Sequence, residues 1–179
     1  MPARRVFTIG HSTHALEAFV ALLGRHGVKR VADVRRFPGS RRNPQFAREA
    51  LAGGLAADGI GYAHIEALGG RRSVAPGSPN EGWENAAFRG YADHMASAAF
   101  AAGLAELEAL AAAEPTAVMC AEALWWQCHR RLVSDALVAR GWAVDHIGPG
   151  GELAAHALTP FAAVDGDRVT YPAVQPRLA

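Results

Sequence analysis

Cys120-Ala121-Glu122, followed by Cys128-His129-Arg130-Arg131, holds the densest set of reactive side chains in the chain. Cys128 to Arg131 is expected at or near a helix start. There, free backbone N–H groups and the helix dipole favour an anion and lower the pKa of a thiol. A thiolate or a bound phosphate is therefore favoured at this point. His129 is a candidate general acid or base. Arg130 either forks onto a phosphate or carboxylate or pairs with Glu122 to brace the loop. Cys120 reads as a reactive thiol or as a small buried apolar residue ending a strand.

A second group lies at Asp33-Val34-Arg35. In an extended strand Asp33 and Arg35 share a face, which makes Asp33 a candidate general base or ribose-hydroxyl acceptor. Its other reading is to cap the next turn or hold Arg35 in place. Ser40 with Arg41 offers phosphate contacts, and His11-Ser12 offers a base and a hydroxyl. No third triad partner or Gly-x-Ser-x-Gly elbow accompanies them. Tyr62, His64 and Gly69-Gly70 border a long irregular stretch and are expected to line the pocket. Trp125-Trp126 reads as core or interface, or as a stacking surface for a base. His26, His94, His146 and His156 have no supporting constellation and are read as structural. Cys120, Cys128 and His129 are soft ligands, but their spacing matches no zinc signature, so no metal site is assigned. Walker and Gly-x-Gly-x-x-Gly loops are both absent, and no cofactor is identified.

These groups need a scaffold that brings distant segments to one edge. Arg5–Gly10, Val28–Val34, Ile60–Ile65, Thr116–Cys120 and Trp142–Ile147 read as strands. Helical spacing follows the first strand from Leu16 to Leu23, then runs from Pro44 to Leu55. It returns in one long alanine-rich helix over Tyr91–Ala113 and again over Cys128–Arg140. Alternation of this kind predicts an α/β fold with three layers, a largely parallel sheet and helices on both faces. Ligands of such sheets bind beyond the strand C-termini, where His11, Asp33 and Cys120 all fall. Leu68–Asn85 is rich in Gly, Pro and Ser and reads as a loop of the lid type. The tail after Gly151 has no clear pattern.

The 179 residues are expected to form one domain, since a globule of about 150 residues already buries roughly 70% of its unfolded surface. A net charge of +1 gives no global field to recruit nucleic acid or membrane. Locally, Arg35, Arg36, Arg41, Arg42 and Arg48 face only Asp33 and Glu49, which favours an anionic ligand. Two cysteines make no disulfide framework, and reduced thiols are the default. Met1–Gly10 does not resemble a signal peptide, and the apolar runs are far shorter than the ~18–20 residues of a membrane span. A cytoplasmic protein is expected, with no membrane partner.

Thr-Ile-Gly-His-Ser at 8–12, Asp-Val-Arg-x-x-Pro-x-Ser at 33–40, Asn-Pro-Gln-Phe at 43–46, Gly-Tyr and Leu-Gly-Gly at 61–70, Cys-Ala-Glu at 120–122, Cys-His-Arg at 128–130 and His-Ile at 146–147 together resemble domain of unknown function 488. The resemblance runs from Thr8 to about Ile147. It implies a three-layer α/β fold with His11, Ser12, Asp33, Arg35, Cys120, Glu122, Cys128, His129 and Arg130 in one site. It supplies no settled activity, although some members carry labels connected with DNA repair. A second likeness is to rhodanese-type sulfurtransferases, through Asp-Val-Arg after a strand and a strand ending in cysteine. Here Trp125-Trp126 and a second cysteine intervene where a rhodanese places its tight persulfide loop. Three functions follow as expectations. The first is an enzyme acting on a nucleotide, nucleic acid or other phosphorylated substrate, with Asp33, Glu122 and His129 as acid/base groups and Arg35, Arg41 and Arg130 as anion clamps. The second is cysteine-dependent sulfur transfer or redox chemistry, and the third is a non-catalytic nucleic-acid-binding module.

Overall fold

Alternating apolar side chains send each strand's residues into two different cores, and that alternation builds the frame seen in the computed structural model, which describes residues 3–174. Residues 1–2 and 175–179, the outer ends of the leader and tail readings, lie outside the described residues. β1 (Arg5–Gly10), β2 (Arg30–Asp33), β3 (Gly61–His64), β4 (Thr116–Cys120) and β5 (Ala143–Ile147) run parallel in the order β3-β2-β4-β1-β5. The short β6 (Leu153–Ala155) adds an antiparallel edge beside β5.

Phe7, Ile9, Val31, Ala117 and Met119 point to one face of the sheet. They pack on Phe19 and Leu23 of α1 (Leu16–Arg25) and on Leu51 and Leu55 of α2 (Arg48–Ala57). Val6, Ala32, Val118 and Val144 point the other way. They meet Tyr91 of α3 (Ala86–His94), Phe100 and Leu104 of α4 (Ala98–Ala113) and Leu132 and Val133 of α5 (Arg130–Ala139). Each such buried leucine contributes about 2 kcal/mol of hydrophobic free energy. The result is the expected three-layer α/β fold. The β1-to-β2 and β2-to-β3 crossovers use α1 and α2 on one face, and the return crossovers use the helices of the other, as right-handed connections require. Consequently the chain leaves the neighbouring strands β2 and β4 in opposite directions, which opens a crevice beyond their C-terminal ends.

Two expectations are corrected. The long helix over Tyr91–Ala113 is two helices bent by 81°. Ser97 accepts from the Phe100 N–H at 3.1 Å as the N-cap of α4, and His94 Nε2 donates to the Ala67 carbonyl at 2.6 Å, which fixes the break. The helix expected from Cys128 starts at Arg130, behind a 3-10 turn at Trp125–Gln127, and Cys128 itself is extended. The Leu68–Asn85 loop, irregular as expected, is anchored on α3: Asp93 accepts from Ala75 N, Ser78 Oγ and Asn80 Nδ2 at 2.6–2.8 Å. After Gly151 the chain forms β6 and then a hairpin of β7 (Ala163–Asp165) and β8 (Arg168–Thr170), and it buries Val169 and Tyr171 in the α5 core. Among the described residues, no single helix is long and apolar enough to cross a membrane.

Candidate active site

The site is assembled where β1 and β4 end side by side. A Cβ on Gly10 would lie 1.8 Å from the Glu122 carbonyl oxygen, so only glycine lets the loop after β4 cross here. The His11 N–H then donates to the Cys120 carbonyl at 2.9 Å and the Ser12 N–H to that of Ala121 at 3.0 Å. Ser12 adopts a positive φ of 46° to make that turn.

On the α5 face, Cys120 Sγ and Cys128 Sγ stand 3.1 Å apart. Arg130 closes on the same sulfur: its backbone N–H and its Nε–H both donate to Cys128 Sγ at 3.3 Å. The backbone donor belongs to the first turn of α5, so the helix N-terminus and a guanidinium converge on one thiol. Burial opposes charge on Cys128. The Cys120 hydrogen bond, the Arg130 charge and His129 overcome it and bring the thiol down to about 5. Burial pushes the Cys120 thiol up, and its bond to Cys128 adds to that. A thiolate on Cys128 beside a protonated Cys120 is the arrangement these directions describe. Arg130 does not pair with the Glu122 carboxylate; it braces the loop by donating to the Glu122 backbone carbonyl at 2.5 Å. The Glu122 side chain is exposed and faces the crevice.

On the opposite face, Asp33 is fully buried and its two oxygens take four donors. Arg35 supplies its backbone N–H and Nε–H to Oδ1 at 3.0 and 2.9 Å and a terminal N–H to Oδ2 at 2.8 Å. The Tyr62 hydroxyl takes the remaining place on Oδ2. About four acceptor positions exist on a carboxylate, so no lone pair is left for a substrate proton, and Asp33 serves to fix Arg35. Burial and the Asp33 bond raise the Tyr62 hydroxyl well above its ordinary range. Arg35 turns its other terminal N–H toward His11 Nε2 at 3.4 Å, while His11 Nδ1 donates to the Ser12 carbonyl. Burial and then Arg35 hold His11 neutral, stacked 4.4 Å from Phe46.

Between the two halves lies a crevice of about 710 Å³. Arg35, Arg36, Arg41, Arg42 and Arg71 line it, against the single carboxylate of Glu122. His11, Ser12, Ser40, Cys120, Cys128 and His129 also reach it, whereas Asp33 and Arg130 support it from behind. Ser40 caps the turn after it by accepting from the Asn43 N–H at 3.0 Å. His129 Nε2 donates to the Val34 carbonyl at 2.8 Å, which leaves Nδ1 as an acceptor directed at Gly70. Burial lowers the His129 pKa, so the ring is neutral near pH 7. His64 is tied to the Arg35 carbonyl rather than to the crevice. No group of three or more His, Cys, Asp or Glu among the described residues is placed to hold a metal ion.

Sequence reading placed Arg36 in the anion-favouring cluster but missed Tyr62 as a partner of Asp33 and Phe37 as part of the rim. Phe37 is 61% exposed, with the Arg36 and Arg71 guanidiniums 5.5 and 5.9 Å from its ring. A bare aromatic in an arginine-rich loop was the available signal. Trp125 stacks 4.2 Å from His146, and Trp126 is exposed.

Among known proteins, the family model described as Domain of unknown function DUF488 matches residues 15–137. That span contains Asp33, Arg35 and Cys120 to Arg130, and leaves out His11 and Ser12. No curated protein and no solved structure matches the chain.

Proposed function

The chain belongs to the family described as domain of unknown function DUF488, and for it we propose a thiol-dependent enzyme that acts on an anionic substrate. Cys128 is the thiolate nucleophile, Cys120 is the second thiol that resolves the adduct, and the arginine rim binds the anion.

One observation carries this reading. Arg130 is 1% exposed and permanently charged, yet among the described residues it meets no carboxylate. An uncompensated buried guanidinium costs several kcal/mol, on the order of the penalty for any buried unpaired ion. Cys128 Sγ, which takes two of its N–H donors, supplies the counter-charge when it is ionised. The reaction class that suits a thiolate beside a thiol is exchange at sulfur. Cys128 S⁻ attacks an anionic disulfide RS–SR′ and releases R′S⁻. The Cys120 sulfur then attacks the mixed disulfide, RS⁻ leaves, the Cys120 proton passes to the departing thiolate, and a Cys120–Cys128 disulfide remains for an external thiol to reduce. His129 Nδ1, neutral and open to the crevice, is the group available to take that proton in transit.

Oxidised glutathione, an anionic disulfide, tests the proposal by mass spectrometry. The expected result is an intramolecular disulfide in the wild type and a mixed disulfide on Cys128 in Cys120→Ser. Unmodified cysteines in both would remove it.

The rim favours a second reading, in which a nucleotide or single-stranded nucleic acid stacks on Phe37 and places its phosphates on Arg36, Arg41 and Arg71. Thermal stabilisation by nucleotides or oligonucleotides that weakens with added salt supports it, and salt-insensitive or absent binding ends it.

A further inference from the structure

Behind the thiolate runs a buried polar chain that the proposed chemistry does not itself use. Arg130 donates a terminal N–H to Thr8 Oγ1 at 3.2 Å. Thr8 Oγ1 lies 2.6 Å from His146 Nδ1, His146 Nε2 lies 3.0 Å from His156 Nδ1, and His156 Nε2 lies 2.8 Å from Asp135 Oδ1. Thr8, His146 and Asp135 are at most 2% exposed, and the His156 side chain is fully buried.

With one proton on each imidazole, the carboxylate end sets the direction of every bond in the chain. Arg130 can only donate, so Thr8 accepts from it, and the Asp135 carboxylate can only accept, so His156 donates to it from Nε2. His156 Nδ1 then accepts from His146 Nε2, and His146 Nδ1 accepts from the Thr8 hydroxyl. All the dipoles therefore point from the buried cation to the buried anion. Burial, with His156 and Arg130 adding to it, holds His146 neutral by pushing it down to about 3. Trp125 seals the chain by stacking on His146, nearly parallel at 4°. The Thr159 N–H and the Tyr171 hydroxyl complete the Asp135 shell at 3.0 and 2.7 Å.

From this directionality we infer that Thr8, His146, His156 and Asp135 are positioning residues that hold the Arg130 guanidinium on Cys128 and so keep its sulfur ionised. The inference rests on the thiol reading given above. It makes the chain beyond residue 137, outside the matched family span, a working part of the site.

Other groups also face Cys128. Cys120 stands at the end of β4, His129 is the N-cap residue of α5 and Arg130 is its first residue. Tyr91 lies on α3, and Arg72 on the anchored loop acts on both Tyr91 and His129. Glu122 borders the crevice. Arg131 lies near the far end of the relay, donating to Thr159 Oγ1 at 3.1 Å. Of these groups only Arg130 is bonded to the relay, through Thr8, so a change at His156 or Thr8 reaches Cys128 through Arg130.

The test measures the pH dependence of iodoacetamide labelling at Cys128 in the full chain, for wild type, His156→Phe, His156→Gln and Thr8→Val. Glutamine keeps one acceptor and one donor and is expected to titrate with the wild type. Phenylalanine breaks the relay and is expected to raise the Cys128 inflection by roughly one pH unit, as loss of a charge-orienting hydrogen bond does. Thr8→Val preserves shape on the central strand and should shift the inflection the same way, which covers failure of His156→Phe to fold. An unshifted inflection in Phe and Val variants overturns the inference, as does an equal shift in the Gln variant, because packing would then be the cause. The wild-type profile reports separately on the thiol reading: a low inflection that no relay variant moves sinks the relay alone.

Discussion

Labelling of Cys128 across pH gives the sharpest prediction, and its size follows from the contacts of one sulfur. With its thiol near 5, Cys128 is nearly all thiolate at neutral pH. An ordinary cysteine, with a pKa of about 8.5, is only ~3% thiolate there. Lower basicity also means a weaker nucleophile. With a Brønsted slope of about 0.4–0.5, a gap of about 3.5 pH units costs ~40-fold in rate. The two effects nearly cancel at pH 7, so a single measurement there would show an unremarkable thiol. At pH 5.5 the thiolate fractions are about 75% and ~0.1%, and Cys128 should react ~20-fold faster than the reference, before any loss from its limited access. Access and intrinsic nucleophilicity drop out of the pH dependence. The ratio of Cys128 to a peptide carrying the same residue should fall ~400-fold between about pH 5.5 and 8.5. Quantitative peptide mass spectrometry after timed iodoacetamide pulses reads this ratio directly. Parallel profiles, both inflecting between about pH 8 and 9, would show that Cys128 is protonated and that Arg130 draws its counter-charge from elsewhere.

Stability should carry the same signature. The folded Cys128 pKa lies below the unfolded one, so the unfolded chain binds the extra proton between about pH 5 and 9. Its contribution is complete above that window and is lost as pH falls through it, at about 1.4 kcal/mol per pH unit. The unfolding free energy of Cys128→Ser, followed by urea titration, should lack that slope, match wild type most nearly at the acid end and lie about 3 kcal/mol below it at pH 7, where wild type pairs Arg130 with the thiolate and the variant does not. Asp33→Ala should cost about 3–5 kcal/mol by the same route, since it strips Arg35 of its buried partner; a loss under about 1 kcal/mol in thermal or urea unfolding would contradict the pairing. Gly10→Ala forces the Glu122 carbonyl away from its present position. It should destabilise the fold by about 1–3 kcal/mol and slow thiol labelling, both measurable in the same preparations. Replacing Arg41 and Arg42 with serine should reduce the preference of Cys128 for anionic iodoacetate over neutral iodoacetamide while leaving stability within about 0.5 kcal/mol; an unchanged preference would remove these arginines from anion binding.

Much of this protein was legible in the sequence because the relevant signals are local. Arg5–Gly10 and Thr116–Cys120 are strands at the boundaries expected, since short β-rich runs stopped by glycine or by polar residues identify themselves. The period-two alternation placed Asp33 and Arg35 on one face, where they pair. The clustering of His11, Arg35, Cys120, Cys128 and His129 at one sheet edge followed from the parallel alternation of strands and helices. Tertiary structure decided the rest. The Ala-rich run from Tyr91 has helical propensity throughout, and only the Ser97 cap and the His94 bond to Ala67 break it. Strand order put Tyr62 next to Asp33 and so closed the carboxylate that had looked like a base. The turn ahead of α5 aimed Arg130 at a sulfur and a carbonyl instead of the Glu122 carboxylate. Thr8, Asp135, His146 and His156 come from separate segments and meet only in the folded chain, where desolvation makes each hydrogen bond obligatory. Residue type and spacing located the candidate groups, whereas burial and neighbours, which no local pattern encodes, determined which of them are left without a partner.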